Sequence, residues 1–154
     1  YREVLAAHTP KQRDRQEEVA KNNESSDSTS KDHSQAKSLR AKIFASWLIE
    51  HLLCHEDRVL DVAGGKGELS MQLALLGGVA CTVVDPVVRK RPKMKQLIKL
   101  SKPVPEFRPH AFQAQDAKTR TVAESHSCLV GLHPDEPTED IVDLAIEHNK
   151  SFAV

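Results

Sequence analysis

The stretch VLDVAGGKGELS, residues 59–70, decides the fold. An apolar run ends on Asp61, glycines follow at 64, 65 and 67, and a leucine-bearing segment comes next. RVLDVA (58–63) is short, apolar and bounded by glycine, which predicts a buried strand. GELSMQLALLGG (67–78) repeats Leu69, Leu73 and Leu76 on one helical face before Gly77 and Gly78, a helix with a glycine stop. Glycines between a strand and a helix let a ligand approach the backbone, and the helix start points free N–H groups at it. The loop is therefore predicted to hold something.

Working outward, VACTVVDP (79–86) is β-branched and closes on acid and proline, a second strand. RPKMKQLIKLSK (91–102) sets Met94, Leu97 and Ile98 at helical spacing. PEFRPHAFQAQDA (105–117) is predicted to hold a third strand ending before Asp116, and SCLVGLH (127–133) a fourth. PTEDIVDLAIEHNK (137–150) is a helix whose early Pro137 and acids suit the helix dipole, and SFAV (151–154) starts a fifth strand. Upstream, SLRAKIFASWLIEHLL (38–53) carries Leu39, Ile43, Trp47 and Leu48 at helical spacing, with Ile49 and Leu52 flanking. One apolar face is expected there, with Trp47 and Phe44 in the core. Strands alternating with helices imply βαβ units, and continuous apolar strands imply burial on both faces. The predicted class is α/β, a Rossmann-like parallel sheet with flanking helices, truncated at about the fifth strand. Ligands in such sheets bind at the carboxyl ends of the strands.

Residues 1–35 read as a polar, flexible arm: KNNESSDSTSKD (21–32) has no apolar residue to offset ordering entropy. A short helix fits within residues 1–20. Residues 36–154 form the predicted domain, incomplete at its C-terminus, and a first residue Tyr1 suggests an excised chain. A net charge of zero gives no general attraction to nucleic acid or membrane, so any such pull must be local. No apolar run approaches the roughly 20 residues of a membrane span, and no signal-peptide core is present. Cys54, Cys81 and Cys128 lack disulfide or zinc spacing, and Cys81 and Cys128 fit buried strand positions. The histidines are scattered, so no metal site is expected. A reducing, intracellular compartment follows, cytoplasmic or nuclear.

Three ligand classes suit a glycine loop after a strand. A P-loop needs Ser or Thr after its lysine, and Lys66 is followed by Gly67. A dinucleotide fold fits imperfectly through Gly65, Gly67 and Ser70, with Asp85 spaced for a ribose hydroxyl. Asp61 argues against that ligand, because a carboxylate about 4 Å from a pyrophosphate repels it by roughly 1–4 kcal/mol. S-adenosylmethionine carries a sulfonium and an ammonium instead. Asp61 suits the amino group, and Lys66 or the helix N-terminus the carboxylate.

LDVAGGKGELS (60–70) resembles motif I, [DE]-x-G-x-G-x-G, of the class I, Rossmann-like S-adenosylmethionine-dependent methyltransferases. Asp61 matches the acid, Gly65 and Gly67 the second and third glycines, and Ala63 stands where the first is usual, with Gly64 and Lys66 between. Asp85, closing CTVVD, is similar to the acid that binds both ribose hydroxyls, and Asp116 to the residue that meets the adenine amine. LVGLHPD (129–135) falls where motif IV is expected and resembles an L-x-G-x-H stretch of some eukaryotic RNA-modifying members, the tRNA 2′-O-methyltransferase type included. Asp135 stands where those often have cysteine. The resemblance covers roughly residues 38–154 and implies seven strands, about five of them within this chain. It implies methyl transfer to an acceptor, with RNA (tRNA included) favoured.

His133 and Asp135, at the predicted end of the fourth strand, are the candidate catalytic residues. Each has a plainer reading, His133 as a loop hydrogen-bonder and Asp135 as a helix cap. The acid-free run RKRPKMKQLIKLSK (89–102) is either an RNA-phosphate contact or a solvated helix face. Two other functions remain: a nicotinamide-dependent oxidoreductase using Gly65, Gly67, Ser70 and Asp85, and a non-catalytic relative that keeps the fold as an interaction module.

Overall fold

Val59, Leu60, Asp61 and Val62 are sealed from water because their strand has a partner on each edge and a helical layer on each face. The computed structural model describes residues 35–87, 89–90 and 94–154. The arm and short helix predicted before residue 35, and residues 91–93 of the basic run, lie outside the described residues. Helix α1 covers residues 35–51. It is followed by β1 (Arg58–Val62), α2 (Glu68–Gly77), β2 (Ala80–Val84), α3 (Lys95–Lys99) and β3 (Glu106–Arg108). The chain continues through α4 (Ala117–Glu124), β4 (Cys128–Val130), α5 (Thr138–Glu147) and β5 (Ser151–Ala153).

The five strands form one parallel sheet in the order β3-β2-β1-β4-β5. This is the α/β, Rossmann-like arrangement expected from the sequence. Strand alternation sorts the core into two clusters. Leu60, Val62, Val84 and Leu129 pack with Val122, Ile141 and Leu144, from the α4 and α5 side. Val59, Cys81, Cys128 and Val130 pack with Ala45, Leu48, Leu69 and Leu73, from the α1 and α2 side. Asp61 shares the second side, which aims it at the start of α2. Gly78 ends α2 in the left-handed conformation; its N–H donates to Ala74 O at 3.0 Å and the Val79 N–H to Leu73 O at 3.3 Å.

Three expectations change. The face α1 buries is Ala41, Ala45 and Leu48, whereas Leu39, Ile43 and Trp47 are 58%, 61% and 47% exposed. Alanines let the helix lie close to the sheet, so the large residues one step round point outward. Leu76 and Ile98 are exposed as well. The third strand has only three residues, and Asp116 ends no strand: it is the N-cap of α4, a helix that hydrophobic spacing did not announce. No helix among the described residues is long and apolar enough to cross a membrane.

Candidate functional site

β1 lies between β2 and β4, and successive connections leave it in opposite directions, so a crevice opens beyond the carboxyl ends of β1 and β4. Asp61 pairs in register with Val83 of β2 and Val130 of β4. The glycine loop and the segment carrying His133 therefore leave neighbouring strand tips.

Asp61 is fully buried. Its Oδ2 accepts from Ser70 Oγ at 2.7 Å and Ser70 N at 3.3 Å. That amide lies in the first turn of α2, where the backbone supplies no acceptor, and the N-cap, Gly67, has no side chain to offer. Asp61 caps the helix from the preceding strand. Its Oδ1 has no partner among the described residues. Burial pushes its pKa up from 3.8 to about 6; the Ser70 bonds act against the rise and the Asp85 charge adds to it. A Cβ on Gly64 would come within 2.6 Å of the Asp61 Cγ and 2.7 Å of both oxygens. The carboxylate thus forms the floor beneath the loop. The sequence placed it on the ligand side; alternation along β1 turns it under Gly64 instead.

The loop is tightly specified. Ala63, Gly65 and Gly67 have φ of 54°, 58° and 78°. Ala63 carries a Cβ in the left-handed region at a cost of roughly 1–2 kcal/mol, and its N–H donates to Val84 O at 2.8 Å. A Cβ on Gly67 would meet Phe107 Cζ at 2.8 Å and Val83 Cγ2 at 3.2 Å. Lys66 is exposed on the loop.

Asp85, just past β2, is half-buried and joins the loop to the second strand. Its Oδ2 accepts from Gly65 N at 2.9 Å and its Oδ1 from Val87 N at 2.8 Å. Gly65, Val83, Asp85, Val87, Arg89 and Phe107 line a pocket of about 20 Å³. The Arg89 side chain lies over the loop, its Nε 3.8 Å from where a Gly65 Cβ would be. Sequence reading missed Phe107 and Arg89 as pocket residues. The register of β3, which sets Phe107 beside Val83, is hidden by the prolines at 103, 105 and 109.

Gly65 and Asp85 thus line one pocket, with Asp61 buried beneath Gly64 and Gly67 packed against Phe107 and Val83. Asp116 is engaged elsewhere: its Oδ2 accepts from Thr119 N at 3.3 Å and Thr119 Oγ1 at 3.4 Å. His133 is exposed past β4 with φ of 56°, and its Nε2 lies 3.4 Å from Arg40 of α1. Asp135 is exposed. It does not serve as the cap of α5, whose N-cap is Pro137 with no side-chain hydrogen bond. Among the described residues no His, Cys, Asp or Glu cluster could hold a metal ion.

Electrostatically, the start of α2 already has an internal anion in Asp61 and an acid, Glu68, in its first turn. A second anion there competes with both, whereas a cation is favoured through space. No protein-family model matches the chain, and no curated protein does either.

Proposed function

We propose that the chain is an S-adenosylmethionine-dependent methyltransferase domain acting on RNA, tRNA included, in the cytoplasm or nucleus. One observation carries the reading: Asp85 bonds the Gly65 amide of a glycine loop floored by a buried, half-satisfied carboxylate. The charges of Asp61 beneath the loop and of Glu68 in the first turn of α2 favour a ligand with an ammonium over a diphosphate. Asp85 has the acceptor chemistry for vicinal ribose hydroxyls, and Phe107 offers an apolar wall for a base. Admitting a nucleoside requires the exposed Arg89 side chain to leave the pocket, which otherwise holds little more than one water. The bound cofactor supplies an electrophilic methyl on sulfur. The chain's own part is to align the acceptor at the β4 tip, beside His133 and Asp135. The RNA preference draws on Arg89, Lys90, Lys95 and Lys99, all exposed past the tip of β2.

Titration calorimetry with S-adenosylmethionine and with NAD tests the reading. Binding of the first alone is expected. Tight NAD binding without S-adenosylmethionine binding would replace it with the oxidoreductase. Cofactor binding without turnover on RNA pools would leave an interaction module.

A further inference from the structure

Helix α1 carries two stripes. The buried one, Ala41, Ala45 and Leu48, faces the sheet. The outer one runs through Arg40, Ile43, Trp47 and His51, spacings of three, four and seven that keep them on one face. Trp47 is 47% exposed. Its ring stacks on Phe44, centroids 6.4 Å apart and planes 8° from parallel, and meets His51 at 5.4 Å.

At one end of this stripe Arg40 touches His133. His133 is held outward by a turn that leaves it no slack. A Cβ on Gly131 would lie 2.6 Å from Pro134 Cγ, Pro134 is buried, and Thr138 Oγ1 donates to its carbonyl at 2.9 Å. A left-handed, exposed side chain fixed by its surroundings is the kind of strain that function retains. Arginine can only donate, so Nε2 of His133 accepts and the ring proton sits on Nδ1. In this pairing the imidazole has no free lone pair with which to act as a base. The pair presents N–H donors only, and among the described residues Arg40 has no carboxylate partner.

Donors without a counter-anion next to an exposed, pre-stacked indole match phosphate and base together. We infer that the outer face of α1 is the track for a single-stranded segment of the RNA acceptor. A phosphate is held by Arg40 and the Nδ1–H of His133, and a base stacks at Trp47 about 10 Å along the helix. This deepens the RNA reading above and rests on it. It recasts His133 as a substrate-positioning residue and leaves Asp135 as the acid–base group at that tip. Charge selects the occupant: an apolar protein surface over Ile43 and Trp47 would bury the guanidinium of Arg40, which has no carboxylate partner among the described residues.

The test uses the full chain and a fluorescein-labelled single-stranded RNA longer than the roughly 16 nucleotides of a large stacking site. Arg40→Ala should weaken binding at least about tenfold and lower the slope of log affinity against log salt by about 0.7. Trp47→Ala should weaken binding about tenfold with the slope unchanged, and Trp47→Phe should restore it. His133→Asn keeps a donor and tolerates positive φ, so it should weaken RNA binding less than Arg40→Ala does. Circular dichroism checks that each variant is folded, and S-adenosylmethionine affinity should not move. Unchanged RNA affinity in Arg40→Ala and Trp47→Ala, or no RNA binding by the parent chain, overturns the inference. Loss of S-adenosylmethionine affinity in Arg40→Ala would make the pair a clamp for the cofactor carboxylate. Loss of self-association or of a protein partner in Trp47→Ala, with RNA binding intact, would make the stripe a protein interface. RNA binding that depends on Arg40 and Trp47 in a chain that binds no S-adenosylmethionine would sink the methyltransferase reading and keep the track.

Discussion

Replacing Asp61 with asparagine removes a charge from beneath the glycine loop while keeping an acceptor for Ser70. The pKa of Asp61 rises from 3.8 to about 6, chiefly through burial. At roughly 1.4 kcal/mol per pKa unit, the ionised carboxylate costs the fold about 3 kcal/mol at neutral pH. A raised folded-state value means that stability is fully present below the unfolded value and is lost as pH rises through about 6. The parent chain carries that loss and Asp61→Asn does not. The amide's own unmet hydrogens add an offset that does not vary with pH. The informative quantity is therefore the growth of the stability difference: about 1 kcal/mol in favour of the variant between pH 5 and pH 7. Urea denaturation of both proteins at half-unit pH steps measures it. A difference that stays flat across that range would mean Asp61 titrates as a solvated acid, and the floor described for the loop would be wrong. On the proposed function, the same variant should lose S-adenosylmethionine affinity as it gains stability.

Asp85→Ala should lower S-adenosylmethionine affinity at least about tenfold in calorimetry with the fold retained; an unchanged affinity would remove Asp85 from the site. Gly64→Ala forces a Cβ onto the buried Asp61 carboxylate and should cost about 1–3 kcal/mol in thermal unfolding. Gly65→Ala meets nothing closer than Arg89 at 3.8 Å and should cost only the left-handed backbone term, about 1–2 kcal/mol. His126 is buried between Val122 O, 2.7 Å from Nδ1, and Thr82 Oγ1, 2.8 Å from Nε2. Burial lowers its pKa below 6.5, with the Val122 carbonyl opposing, so its contribution is present above 6.5 and is lost as pH falls through the lowered value. His126→Gln should flatten the acid-side fall of stability below pH 6.5, and an unaltered fall would assign it to other groups.

Much of the sheet was legible because buried parallel strands need unbroken apolar runs, as in VLDV and CTVV. The glycine loop was legible because only glycine fits where Asp61 and Phe107 crowd the backbone. Helix α4 was not, since its buried residues are Thr119, Val122 and Ala123, too small and too polar to mark a stripe. The capping pair Asp116 and Thr119 is the available signal, and it marks a helix start rather than a ligand contact. Orientation of α1 failed for a related reason. Side-chain size is visible in a sequence and closeness of approach is not, so Leu39, Ile43 and Trp47 mark a stripe more strongly than the buried alanines at 41 and 45. The inward turn of Asp61 follows from strand alternation and could have been read from the sequence.

Val59 of β1 faces Cys81 on one edge and Cys128 on the other. The strand that launches the loop is thus completed only when a distant part of the chain has docked. Non-local parallel pairing is slow to form, because loop closure must precede the contacts that reward it. Once formed, this central strand can be released only by dismantling both halves of the sheet. Amide hydrogens of residues 59–62 should then exchange with solvent only through global opening, while the three-residue margins β3 and β5 fray independently. The loop's anchorage is as durable as the whole fold, and breathing at the rim leaves it undisturbed.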